Sequence, residues 1–298
     1  MDNVNTMNTN AASLRGISGF HLKVIAVISM FIDHLGATLV LSFLNATYAF
    51  AKSGKGVGTY FEPLFAWTVD HWKFMVSVYE GMRYIGRIAF PIYCFLIVEG
   101  FLHTKNVAKY ALRLGIFALI SEIPFDLAFN EGWWDPYSNN VFFTLLIGLL
   151  VIWGISYIRE RCGAFYQEEL IAEDIEEGIE PRKRNEILRK LCVILVGLAC
   201  TGVGAFIAKY ILHTDYGAAG VITIVVMYLL HKKQWMGYVL AVLVLTLMTN
   251  SSEMVAMLGA VLVCYYKGER GKNIKYFFYA FYPVHLLVLW LVTIILGL

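Results

Sequence analysis

Long apolar runs separated by short polar turns recur along almost the whole chain. Six of them, Leu22–Leu44, Tyr84–Leu102, Val107–Phe129, Val141–Ile158, Leu191–Leu212 and Phe277–Leu296, come close to or exceed the ~20 residues an α-helix needs to cross a bilayer core. Three shorter runs, Tyr216–Leu230, Trp235–Thr249 and Glu253–Tyr266, are set apart by polar turns at similar intervals and read as further spans. The pattern predicts an all-α, polytopic transmembrane bundle of about nine spans. Leu64–Tyr79 is also apolar, but Asp70, His71 and Lys73 interrupt it. We read it as an amphipathic helix in the interface, because a tenth span there reverses every later loop.

Composition agrees. Hydrophobic residues make up 59% of the 298 positions, charged residues 15%, and mean hydropathy is +0.64, whereas a soluble domain carries roughly 25% charge. One transmembrane domain is expected over residues 22–298, after a polar tail, 1–21, expected to be disordered and cytoplasmic. Met1–Ala12 has no basic stretch leading into a short apolar core, so no cleavable signal peptide is expected. A net charge of +2 gives no argument for nucleic acid as a partner. Four of the five cysteines lie in apolar runs, with no CxxC pair or ligand spacing, so neither a disulfide framework nor a metal site is indicated.

The placement of Lys and Arg is more informative than their sum. They gather in Arg15 and Lys23, Lys105 and Lys109, the stretch 159–190, Lys232 and Lys233, and Lys267 to Lys275, while 130–140 and 250–252 have none. Basic residues mark cytoplasmic loops. The expected orientation is therefore N-terminus inside and C-terminus outside, in a multi-pass protein of the cell membrane whose 159–190 loop is cytoplasmic and passes from acidic to basic.

Ionisable residues within spans are costly in lipid, roughly 2.5–3.5 kcal/mol each at the centre, and are functional candidates by default. Asp33 and His34 fall near the middle of the first run, Arg87 near the outer end of the second, and Glu99 and His103 at its inner end. Glu122 and Asp126 share a face of the third; Asn140, His213 and Asp215 lie at outer turns, and His285 is within the last run. Lys23 and His34 are eleven residues apart, which on an α-helix returns to within about 20° after a rise of roughly 16 Å. A cation at the inner headgroups and an imidazole in mid-membrane then share one helix face. That suits an elongated ligand with an anionic head in the cytoplasm and a reactive end inside the protein, the form of coenzyme A. Plainer readings stand beside these: Lys23 and Arg87 as snorkelling flank residues, His34 as a satisfied core histidine, Glu122 and Asp126 as ion-pair partners of Arg87, and His285 bonded to a carbonyl freed by Pro283.

Several blocks carry a family resemblance: LKVIAVISMFIDHLGA (Leu22–Ala37), RYIGRIAFPIYCFLIVEGFLHTKNVAKYALRL (Arg83–Leu114), ALISEIPFDLAF (Ala118–Phe129), NNVFFTLLIGLL (Asn139–Leu150), DYGAAGV (Asp215–Val221) and FYPVHLL (Phe281–Leu287). Together they resemble the TraX family. The resemblance implies similarity to a membrane acetyltransferase associated with N-terminal acetylation of conjugative pilin. The basic residue followed eleven positions later by a membrane histidine is similar, more distantly, to the first-span signature of membrane acyltransferases that modify cell-surface sugars. There the basic residue is commonly Arg; here it is Lys23.

The function expected is transfer of an acetyl or other acyl group from cytoplasmic acyl-CoA to an amine or hydroxyl presented from the outer side. The acceptor is left open between a pilin-like N-terminus, a glycan and a small amine. His34, beside Asp33, is the expected general base. Lys23, Glu99 and His103 are assigned to the donor side. Arg87, Glu122, Asp126, Asn140, His213 and Asp215 are assigned to the acceptor pocket, with His285 as a further candidate. The competing reading is a proton-coupled transporter using the same carboxylates and histidines as a relay.

Overall fold

The computed structural model describes residues 16–130, 132–177, 183–272 and 274–298. Most of the expected tail, residues 1–15, and the centre of the acidic-to-basic loop, 178–182, lie outside the described residues.

Among the described residues every regular element is helical, and the strand-like pairing is confined to two isolated β-bridges. It comprises α1 (Gly19–Leu35), α2 (Leu41–Ser53), α3 (Glu62–Asp70), α4 (Trp72–Gly86), α5 (Ala89–His103), α6 (Val107–Phe129), α7 (Val141–Glu177), α8 (Lys183–Phe206), α9 (Gly217–Leu229), α10 (Gln234–Met248), α11 (Leu258–Cys264) and α12 (Lys275–Leu296). Five stretches are long and apolar enough to cross a membrane: Gly19–Ser53, Trp72–His103, Val141–Cys162, Lys190–Ile211 and Tyr276–Leu296. The protein is a membrane protein with transmembrane helices. α6 is long enough as well, but it carries Lys109, Arg113, Glu122 and Asp126; Gly217–Leu229 and Ser251–Cys264 are shorter apolar helices.

Local sequence explains where these helices begin and bend. Ser18 precedes α1, and its hydroxyl meets His21 Nδ1 at 2.8 Å. Asn106 caps α6 by accepting from the Lys109 amide at 2.8 Å. α1 passes into α2 through a π-helical turn, Gly36–Val40, directly after His34, and a second π turn, Ile207–Ile211, follows α8. Such turns are frequent at functional sites.

α5 is the centre of the bundle, with ten of its fifteen residues buried, among them Phe90, Ile92, Cys94 and Phe95; a helix apolar all round belongs inside. α1, α7, α9 and α10 pack on it, and α12 lies against α1 and α6. α8 leaves Leu191, Ile194, Leu195, Leu198, Val203 and Phe206 exposed, the surface expected of a helix against lipid tails.

The ends are tied by backbone. The Ile17 amide donates to Tyr265, Gly19 to Glu269 and Lys267 to Ile17, joining the start of α1 to the α11–α12 connection. At the other end Asn139 donates to His213 and Asp215 to Asn139, joining the α6–α7 connection to the turn before α9.

The Leu64–Tyr79 segment is two helices rather than one: α3 ends at Asp70 and α4 starts at Trp72, with His71 at the break. Its side chains Leu64, Trp67, Trp72, Phe74 and Val78 are exposed, and α3 packs on α2. α4 runs on through Arg87 and Ile88 into α5, so the second apolar run is longer than its pattern suggests.

Candidate functional site

His34 lies on the face of α1 turned toward α12. Its Nδ1 is 2.7 Å from His285 Nε2, and the two rings are within 3° of coplanar. His285 Nδ1 in turn is 2.7 Å from the Phe281 carbonyl oxygen. A carbonyl can only accept, so Nδ1 of His285 carries a proton, and in the neutral ring its Nε2 is an acceptor. His34 must then donate from Nδ1, which leaves the lone pair on His34 Nε2. The chain of bonds thus selects a tautomer and an orientation for the His34 imidazole, the role a carboxylate plays behind the base of a catalytic triad. Phe129 and Tyr282 pack edge-on against the His34 ring at 5.4 and 5.8 Å, and His34 remains half-buried rather than sealed.

Asp33, one residue earlier, points about 100° away. It pairs with Arg83 at 2.7 Å, so the structure does not bring Asp33 and His34 together as a dyad. Asp33 sits on the backbone of Gly86: a Cβ there would be 2.2 Å from its Oδ1. Only glycine permits this approach of α4 to α1. Arg87, one turn past Arg83, bonds Glu253 at 3.1 Å and Tyr216 as well. It does not pair with Glu122 or Asp126. Asp215 stands exposed in the turn before α9, where the Arg87 guanidinium favours its charged form. Asp33, Arg83, Arg87, Asp215, Tyr216 and Glu253 therefore form one charged cluster at the end of the bundle opposite Gly19. Asp33 Oδ1, Arg87 Nε and Glu253 Oε2 are buried there without hydrogen-bond partners.

Glu122 and Asp126 share a face of α6 but have separate tasks. Glu122 accepts from the Asn140 backbone amide at 3.3 Å and from its side chain, and its Oε1 is buried without a partner. Asn140 also reaches the Ala118 carbonyl at 2.8 Å and accepts from the Phe142 amide at 3.0 Å, so it caps α7. Asp126 accepts from Asn130 and from the Asp135 amide, both at 2.9 Å, pinning the α6–α7 connection. His213 packs against Tyr137 with a left-handed φ of 44°, apart from the other site histidines.

Below His34, toward the end that holds Gly19, is a cavity of about 430 Å³. Lys23, His103, Gly268 and Arg270 line its mouth end; Tyr93, Tyr110, Arg113 and Tyr279 its middle; Met30, Phe142 and Tyr282 its inner end. Met30 is one turn before His34 on α1. Lys23 lies over the Phe278 ring at 5.8 Å, so Lys23 and His34 both face α12, over Phe278 and His285, which are seven residues and nearly two turns apart. Glu99 lines the cavity and bonds Gln234 at 2.9 Å, whereas His103 is bonded to the Glu99 carbonyl at 2.8 Å with its side chain mostly exposed. Arg113 stacks on Tyr110 at 5.7 Å, bonds Tyr279, and keeps a buried Nε without a partner.

Arg83, Arg113, Glu253, Tyr216 and Tyr282 are site residues that sequence reading did not single out. Arg113 had a visible signal, a guanidinium two turns inside an apolar run; the rest acquire meaning only from their neighbours.

The sequence model of a family described as "TraX protein" matches residues 18–293. A curated relative, "Probable fimbrial assembly protein FimC, serogroup H1" of Dichelobacter nodosus, is 31% identical over 142 residues. That alignment covers 45% of this chain and 45% of the relative. No solved structure matches.

Proposed function

The chain belongs to the TraX family, and from that premise and the site geometry we propose that it is a membrane acyltransferase moving an acetyl or other short acyl group from cytoplasmic acyl-CoA to an amine or hydroxyl acceptor from the opposite side. The observation that carries the reading is the oriented His34 immediately beyond the inner end of a cavity whose mouth is basic. Lys23, Arg270 and Arg113 supply positive charge along that cavity, as the phosphates of CoA require. The aromatic and apolar middle suits the uncharged arm.

In the step we propose, the acceptor N–H or O–H gives its proton to His34 Nε2 as its heteroatom attacks the thioester carbonyl carbon. The C–S bond then breaks, and the CoA thiolate takes the proton from His34 to leave as free thiol. His285 holds the tautomer throughout. The charged cluster around Arg87 and Asp215 lies on the far side of His34 and is assigned to the acceptor. The relative's name, a fimbrial assembly protein, favours a pilin-like N-terminus over a glycan or a small amine. In this reading the chain crosses the cell membrane nine times, with the cavity mouth and the 159–190 stretch in the cytoplasm and Leu298 outside.

The test is purified protein in nanodiscs with labelled acetyl-CoA and a peptide bearing a free N-terminal amine. Acceptor-dependent release of CoA thiol is expected in the wild type, with loss of about 10²–10⁴-fold in His34→Ala. Folded protein that neither binds CoA nor transfers acetyl, but moves protons into liposomes, establishes the transporter instead.

A further inference from the structure

α7 begins at the inner end of the donor cavity, and its first amides are accounted for one by one. Asn140 N–H goes to Glu122, Phe142 N–H to the Asn140 side chain at 3.0 Å, and Phe143 N–H to the Asn140 carbonyl at 3.1 Å. The remaining one, on Val141, lies close to the hydroxyl of Tyr282 from α12. Tyr282 is 3% exposed and lines the cavity together with Val141 and Phe142. Its ring lies 5.8 Å from those of both His34 and His285.

A phenol oxygen that accepts from an amide still has its own O–H to donate. Here the phenol oxygen lies beside the start of a helix of 37 residues, where the partial positive charge of the helix end gathers. That charge makes the phenol a better donor toward any oxygen on which negative charge develops. We propose that Tyr282 is a catalytic residue: its O–H donates to the thioester carbonyl oxygen of the acyl donor and stabilises the oxyanion that forms when the acceptor, deprotonated by His34, adds to the carbonyl carbon. The proton stays on Tyr282 in this step. The negative charge moves to the carbonyl oxygen on attack and returns to form the C=O bond as the C–S bond breaks. This rests on the acyl-transfer reading and adds a second group, on a different helix, to the base. It also gives Glu122 and Asn140 a positioning role, since they anchor the amide end against which Tyr282 is set.

The carbonyl stretch of bound acetyl-CoA, labelled with ¹³C at the carbonyl carbon, is to be read by infrared difference spectroscopy, beside transfer kinetics and donor affinity. In the wild type the band is expected at lower frequency than in water, and in Tyr282→Phe it returns upward. kcat is expected to fall by about 10²–10³-fold, the loss typical of one oxyanion donor, with donor Kd changed less than about twofold. 3-Fluorotyrosine at position 282 keeps the packing and makes the phenol more acidic; it is expected to lower the band further, which keeps the test available if Tyr282→Phe folds poorly. An unshifted band in wild type, or the same band in all three proteins, overturns the proposal, as does Tyr282→Phe with kcat within threefold of wild type. Because the band is read on bound donor without turnover, absence of transfer in the wild type counts against the acyl-transfer reading and leaves the Tyr282 contact separately tested.

Discussion

Replacing His285 by Phe probes the bond chain at its most telling point. The substitution removes the Nε2 acceptor 2.7 Å from His34 Nδ1 but keeps a flat ring against Phe281 and Phe31, which now contact His285 at 4.7 and 6.1 Å. His34 is left with a donor that has no acceptor, at a cost of about 1–3 kcal/mol. The ring recovers part of this by turning or by moving its proton to Nε2, and either change takes the lone pair away from the reacting atoms. At about 1.4 kcal/mol per factor of ten, the expected loss in kcat is about 5- to 150-fold. That is smaller than the loss in His34→Ala, because the base itself is still present. Donor Kd, measured by isothermal titration with acetyl-CoA, should not move, since His285 is not among the residues lining the donor cavity. The decisive measurement is the double variant. If His285 acts only through His34, then His34→Ala with His285→Phe transfers acetyl at the rate of His34→Ala alone. A full multiplicative loss in the double variant, or unchanged kcat in His285→Phe, refutes the tautomer argument.

Other expectations concern distinct parts of the molecule. Arg83→Met leaves the Asp33 carboxylate without its partner and is expected to cost about 1–2 kcal/mol, less than a fully buried pair because Arg83 is partly exposed; thermal unfolding in detergent measures it, and adding Asp33→Asn should restore most of the loss. Gly86→Ala drives a Cβ into the Asp33 carboxylate and should destabilise by about 1–3 kcal/mol, read in the same assay; an unchanged melting temperature removes the close approach of α4 to α1. Lys23→Ala and Arg113→Ala are each expected to raise the Kd for CoA about tenfold, the loss of one charge-assisted bond, while His103→Ala changes it little; equal affinities in all three displace the phosphates from this cavity. Cysteine reporters at Leu298 and Lys267 should be labelled from opposite sides of the membrane, and labelling of both from one side overturns the nine-pass arrangement.

The sequence by itself determined the medium and much of the scaffold. Apolar runs with little charge between them can be stable only in lipid, and the run Val107–Phe129 is the helix α6 to the residue, because Asn106 caps it at one end and a polar connection closes it at the other. The eleven-residue spacing likewise placed Lys23 and His34 on one face of α1, since helical periodicity is a property of the segment alone. Periodicity gives an angle about a helix's own axis and says nothing of which neighbour waits there. That is why Asp33 read as the companion of His34, although adjacent residues on a helix diverge by about 100° and Asp33 belongs with Arg83 on α4. It is also why Arg87 found Glu253, 166 residues away, rather than a carboxylate of α6. His285 paired with His34 across 251 residues, and Tyr282 came to line one cavity with the start of α7, only because α12 packs between α1 and α6. Which polar groups meet in the interior was decided by how the helices pack, since each buried donor or acceptor must find its partner on whatever helix lies opposite.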